Sequence, residues 1–137
     1  MGIIGNEIID SVGIREANRL AMLEALRAIN NEKLIMNNGG IYLLIDGRDN
    51  YAFDIPGLPK PEYIVRGDSK IKQIMAASIL AKVTRDRLLI EYEDVYPGYG
   101  FLQHKGYGTQ LHQKALKKLG VAKIHRKSYK PIKLATS

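Results

Sequence analysis

The chain has 137 residues, 45% hydrophobic and 26% charged, which suits one globular domain and excludes a disordered, collagenous or coiled-coil chain. Twenty-one Lys and Arg against fourteen Asp and Glu give a net charge of +7, which points towards an anionic partner. There is no cysteine, so disulfides, thiolate metal sites and a cysteine nucleophile are excluded.

Met1 to Asp10 carries acids where a secretory leader needs Lys or Arg before an apolar core, and apolar runs such as Ile41 to Ile45 are short. The reading is a soluble, cytoplasmic protein. No internal repeat or low-complexity tract interrupts the chain. Ile14, Ala17, Ala21, Met22, Ala25, Leu26 and Ile29 recur at spacings of three and four, which predicts an amphipathic helix from about Ser11 to Ile29. Asn37 to Gly40 break that pattern. Ile41-Tyr42-Leu43-Leu44-Ile45 then reads as a buried strand that ends at Asp46-Gly47.

Prolines and glycines mark a loop up to Pro61, and Glu62-Tyr63-Ile64-Val65-Arg66 reads as a second short strand ending at Gly67-Asp68. From Ser69 to about Tyr92, Ile71, Ile74, Met75, Ser78, Ile79, Val83 and Leu89 lie near one helical face, with Asp68 placed to cap the start and Pro97-Gly98 to end it. A loop rich in Gly and Tyr, Tyr96 to Thr109, leads to a last helix from about Gln110 to Leu119, stopped by Gly120 and followed by a basic tail. Alternating strands and helices argue for an α/β fold. Two strands make a poor sheet, so the fold needs more strands than the chain supplies.

Charge is unevenly distributed. Residues through Asp68 sum to −3 and those from Ser69 onward to +10; from Lys105 to Ser137 nine side chains are basic and none acidic. Such a stretch suits a polyphosphate backbone or an anionic membrane surface, or is simply a solvated tail.

Asp46 and Asp68 each leave a predicted strand, which brings carboxylates to one edge of a sheet. Oxygen ligands of this kind suit Mg²⁺ or Mn²⁺. Equally, Asp46 opens an Asp-Gly turn and Asp68 caps a helix. The spacing of His104, His112 and His125 fits no compact zinc pattern, and the serines and glycines match neither a hydrolase elbow, a P-loop nor a dinucleotide fingerprint. The Tyr96 to Thr109 loop offers aromatic faces, a lysine and close backbone approach to a ligand, or else its aromatics plug the core while its glycines turn the chain.

Read in order, Gly67-Asp68-Ser69, the block from Ala76 to Arg87, Tyr96-Pro97-Gly98-Tyr99-Gly100-Phe101, His104-Lys105-Gly106-Tyr107-Gly108-Thr109, His112 and His125-Arg126-Lys127-Ser128-Tyr129 resemble the C-terminal signature of bacterial ribonuclease HII, the type 2 ribonuclease H. The helix from Ser11 and the strand Leu44-Ile45-Asp46-Gly47 also fall where that family has them. The resemblance implies a ribonuclease H-like α/β fold, partial here because the N-terminal strands are missing. It implies a single domain over 1–137, with a helix and two core strands in 1–68 and helices plus a basic substrate-binding region in 69–137.

The implied activity is endonucleolytic cleavage of the RNA strand of RNA/DNA hybrids, and at ribonucleotides embedded in duplex DNA, by an enzyme that is monomeric when complete. Two divalent ions, Mg²⁺ or Mn²⁺, are implied, held by four carboxylates. Asp46 matches the third and Asp68 the fourth, which makes both catalytic and metal-binding. Tyr107 matches the tyrosine that packs at the junction of ribonucleotide and deoxyribonucleotide, with Lys105 and His104 beside it as substrate-binding residues. Asp86 reads as a structural ion-pair residue.

The family's opening strand, with an Asp-Glu pair and a Gly-Arg-Gly type turn, has no match in Met1 to Asp10, and Glu93-Asp94 is no substitute. Two divalent ions carry four positive charges, of which two aspartates offset half. The expectation is that this chain alone is a very poor nuclease or an inactive one. The alternative is a non-catalytic nucleic-acid-binding module that keeps the basic face; a small basic interaction protein unrelated to nucleases requires the ordered blocks to be coincidence.

Overall fold

A computed structural model describes residues 1–29, 42–48, 51 and 58–136. In chain order its elements are helix α1 (Asn6–Ile29), strands β1 (Leu44–Asp46) and β2 (Glu62–Ile64), a 3-10 turn (Gly67–Ser69), and helices α2 (Lys72–Val95), α3 (Phe101–His104), α4 (Gln110–Leu119) and α5 (Lys130–Thr136). This is a helix-rich mixed α/β arrangement. The chain divides into two units, Met1–Ile3 with Asn18–Ala81 and Ile4–Ala17 with Lys82–Ser137. The break expected at Asn37 to Gly40, Ile41 of the expected strand and most of the Pro-rich loop lie outside the described residues.

In the first unit β1 and β2 pair in parallel, with Leu44 opposite Glu62, Ile45 opposite Tyr63 and Asp46 opposite Ile64. Ile45 and Tyr51 are buried, and the Tyr63 hydroxyl donates to the Tyr51 carbonyl, tying the crossover between the strands to β2. The strands are shorter than predicted. Tyr42 is exposed ahead of β1, and β2 stops at Ile64 because Arg66 turns the backbone into the left-handed region (φ 56°). Lys70 and Ile71 N–H then donate to the Gly67 carbonyl at 3.0 and 2.8 Å. That turn delays α2 to Lys72, so Asp68 lies inside the turn instead of capping the helix.

α1 begins earlier than the periodicity predicts and is kinked at Gly13 (φ 80°, ψ 163°). Ile14, counted on the apolar face, is exposed while Ala17 is buried. Of the apolar stripe expected on α2, Ile74 is buried whereas Met75, Ile79 and Val83 are exposed among the described residues.

The second unit packs around Phe101, the largest fully buried side chain at 2% exposure. Tyr99, Ala115, Leu116 and Ile132 complete this core, with Leu89, Tyr92 and Tyr96 against it. The Tyr99 and Phe101 rings stack at 5.4 Å and 9°. α4 has the predicted bounds. Thr109 Oγ1 accepts the His112 N–H (3.3 Å), as an N-cap does, and Gly120 N–H donates to the Leu116 carbonyl (2.9 Å) at its other end. The segment read as a basic tail instead carries α5, whose Ile132 is core.

Neighbouring residues therefore differ sharply in what they support. Phe101→Ala is expected to cost about 3–5 kcal/mol of stability and Leu102→Ala, 51% exposed, within about 0.5 kcal/mol of none. Urea unfolding of the two variants followed by circular dichroism measures the difference.

Candidate functional site

The first unit holds the two expected carboxylates. Asp46, the last residue of β1, is exposed, and its Oδ1 accepts the Gly67 N–H at 2.7 Å. That bond ties the end of β1 to the turn that carries Asp68, also exposed. The approach is close at Gly67, where a Cβ would lie 2.6 Å from Cδ1 of buried Ile74, so a side chain here has to displace that methyl. The pair offers hard oxygen donors at a strand end, a donor set suited to Mg²⁺ or Mn²⁺. Among the described residues no group of three or more His, Asp or Glu could hold a metal ion.

The second unit holds the loop, and it divides the loop's aromatics between both readings left open by the sequence. Tyr99 and Phe101 are core. Tyr107 is 62% exposed. Lys105 and Gly106 both adopt left-handed backbone (φ 47° and 75°), which reverses the chain directly before Tyr107. The Tyr107 N–H donates to the His104 carbonyl (2.8 Å), and Thr109 N–H to the Tyr107 carbonyl (2.8 Å). Glu93, which sequence reasoning left without a role, accepts the Gly100 N–H (3.4 Å) and the Leu102 N–H (3.3 Å) through its two oxygens and so holds the start of α3.

The three histidines, thirteen or fewer residues apart in sequence order and fitting no metal motif, converge. His104 is 5% exposed. Its Nε2 lies 2.8 Å from the Tyr99 carbonyl and its Nδ1 accepts the Gly106 N–H at 3.1 Å. Both ring nitrogens thus serve the loop's backbone, in a residue expected on the substrate side with Lys105 and Tyr107. The His104 ring stacks on that of His112 (4.3 Å, 7°). His112 Nδ1 lies 3.1 Å from the Tyr107 carbonyl, which can only accept, so this nitrogen carries the proton. His112 Nε2 faces His125 Nε2 at 3.1 Å. His125 Nδ1 in turn lies 3.0 Å from the Ala122 nitrogen and 3.1 Å from the Ala122 carbonyl.

Burial is the main reason that the His112 and His125 pKa values fall below the ordinary imidazole value, with the neighbouring histidines adding to the effect. His112 and His125 are therefore neutral rings at neutral pH. No sequence signal identified it, because separations of eight and thirteen positions become neighbours only through the turn at Lys105-Gly106 and the packing of α4.

Around the loop the charges are anchored. Asp86 lies 3.6 Å from Arg85 and 4.0 Å from Lys82, the ion-pair role expected of it. Asp10 accepts the Lys127 N–H (2.7 Å) and Ser128 N–H (2.9 Å) together with the Ser128 hydroxyl, and these bonds hold its carboxyl below the ordinary value. The Arg126 guanidinium lies 4.4 Å from the ring centroid of Tyr129. Among the described residues no helix is long and apolar enough to cross a membrane.

Residues 7–132 match the family model described as Ribonuclease HII. The chain is also 45% identical over 132 residues to the protein named Ribonuclease HII from Alkaliphilus metalliredigens (strain QYMF). The match covers 94% of this chain and 60% of that relative, so the chain spans about three-fifths of the length of the protein it resembles.

The histidine network gives a pH dependence of definite sign. A group whose folded pKa is depressed below about 6.5 binds its proton more readily in the unfolded chain, so stability is full above that value and falls as pH drops through it. Loss of the Asp10 contribution lies lower, below the ordinary carboxylate value of 3.8. Urea midpoints are therefore expected to fall between pH 7.5 and pH 5; a flat profile over that range would contradict the assignment of neutral rings.

Proposed function

Because the chain belongs to the ribonuclease HII family, we propose that it carries the ribonucleotide-recognition loop and half of the carboxylates of an endonuclease that cuts RNA strands in RNA/DNA hybrids and at ribonucleotides in duplex DNA. The observation that carries this reading is the exposed Tyr107 ring on a hydrogen-bonded loop, in the part of the chain whose net charge is +10. An aromatic face offers stacking to a base or sugar, and basic side chains offer phosphate contacts that fix register along the backbone.

Each residue has a distinct task. Tyr107 packs against the nucleotide at the ribose-to-deoxyribose step, Lys105 approaches the phosphate backbone, and His104 serves recognition by holding the loop from its buried side. Asp46 and Asp68 hold a hard divalent cation, Mg²⁺ or Mn²⁺, which when bound supplies Lewis-acid activation and charge neutralisation at the scissile phosphate. The Gly67 N–H orients Asp46, so that one oxygen of its carboxylate is fixed and the other is left for a ligand. Neither aspartate is a substitute for a general base, and their joint charge of −2 balances one divalent ion. A second ion requires carboxylates beyond these two. In isolation the chain therefore binds substrate and cuts weakly or not at all. The exposed Tyr107 and the net charge of +10 from Ser69 onward also suit a second reading, a nucleic-acid-binding module without catalysis.

Fluorescence anisotropy with a duplex containing one ribonucleotide, beside the same duplex in DNA alone, tests recognition. Affinity for both is expected to fall steeply between about 50 and 200 mM salt. Tyr107→Ala is expected to weaken the ribonucleotide duplex by about 5- to 150-fold, the range for loss of one aromatic stacking contact, and the DNA duplex less. Incubation of the same duplexes with Mn²⁺ tests catalysis. Trace cutting that Asp46→Asn abolishes supports the enzyme reading, no cutting with intact binding supports the module, and binding insensitive to salt refutes both.

A further inference from the structure

α2 presents Arg85 to the loop in a way that the charge of the side chain does not explain by itself. One terminal nitrogen of its guanidinium, Nη2, donates to the Lys105 carbonyl at 2.8 Å. The guanidinium carbon lies 5.0 Å from the centroid of the Tyr107 ring, inside the distance at which a cation is attracted by the ring's face. Its other terminal nitrogen, Nη1, lies 3.6 Å from Asp86. A single planar group thus reaches the backbone immediately before the reversal, the aromatic ring immediately after it and a carboxylate on its own helix.

The intervening residue fits the same arrangement. Gly106 has φ 75°, and a Cβ on it would meet Arg85 Nη2 and Leu89 Cδ2 at 3.6 Å each, so Arg85 and Leu89 form the wall on which the turn rests. Among the described residues Tyr107 is otherwise held through its backbone, by His104, Thr109 and His112. Its ring is 62% exposed, and an exposed ring without a partner samples several rotamers. The guanidinium supplies that partner.

We propose that Arg85 is a positioning residue for substrate recognition: it backs the Tyr107 ring on one side and holds the Lys105 carbonyl, presetting the ring for the sugar and base of a ribonucleotide. This rests on the reading of Tyr107 as the recognition residue. Lysine cannot replace arginine in the role. A planar fork donates in its plane while its face or edge meets a ring, whereas an ammonium on a flexible stem is a point charge that can do one or the other.

The test is a double-mutant cycle read as discrimination, the ratio of affinities for the ribonucleotide duplex and the all-DNA duplex. Arg85→Ala, Arg85→Lys and Tyr107→Ala are each expected to lower that ratio by a similar factor, and Arg85→Ala/Tyr107→Ala to lower it no further than the worse single variant. If Arg85 is instead a plain phosphate contact, Arg85→Lys restores binding, both duplexes weaken equally and the two changes multiply; any of these overturns the proposal. If the unaltered chain shows no discrimination, the recognition reading fails, and the latch is judged on the ligand-free chain by NMR. The Arg85 Hδ protons are expected upfield in the Tyr107 ring current and to return towards ordinary shifts in Tyr107→Leu. Unchanged Hδ shifts would overturn the latch independently of any nucleic acid.

Discussion

Three imidazoles buried against Phe101 decide the shape of the loop from Tyr96 to Thr109. Phe101 meets His104, His112 and His125 at ring separations of 5.5, 5.9 and 6.2 Å. Each histidine nitrogen has a hydrogen-bonding partner, mostly a backbone group of the loop or of the segment after α4. A buried polar group without a partner costs more than the bond it loses, so alternative paths for residues 96–109 would strand several such groups at once. The exposed Tyr107 thereby inherits its backbone position from a network that has no contact with solvent chemistry. This is how a loop rich in glycine, which by composition favours mobility, is made into a defined surface.

In the first unit the constraint is steric rather than electrostatic. Parallel pairing sets Asp46 opposite Ile64, and the left-handed turn at Arg66 brings the Gly67 N–H back to the Asp46 carboxylate. At Gly67 a Cβ would lie 2.6 Å from the Ile74 Cδ1 methyl. Strand register, a turn and this close approach thus set the direction of the Asp46 carboxylate. Asp68 follows in the same turn, which is why the two aspartates belong to one locality although 21 residues separate Asp46 from Gly67.

The helices α2 and α4, the two strand positions, the stop at Gly120 and the ion-pair role of Asp86 were legible in the sequence, because each depends on local periodicity, capping or i to i+4 charge spacing. The start of α1 was not, since Asn6 is held by carbonyls of Lys123 and His125 more than a hundred positions away. The helix in the basic tail was hidden for a similar reason: Ile132 is one buried residue among lysines, and only its place in the Phe101 core explains it. Of the candidate site, the residue types were readable and their supports were not. Glu93, Arg85 and the histidines act through backbone groups of the loop, and hydrogen bonds to backbone leave no pattern in side-chain composition.

The loop is carried by His104 and His112 in fixed tautomers, with His112 and His125 uncharged. Long-range ¹H–¹⁵N correlation of the imidazoles at about pH 7.5 tests this directly. The expected result is the proton on Nε2 of His104, whose Nδ1 accepts the Gly106 N–H, and on Nδ1 of His112, which faces the Tyr107 carbonyl, with no imidazolium at His112 or His125. A doubly protonated His112 or His125, or His112 carrying its proton on Nε2, would contradict it.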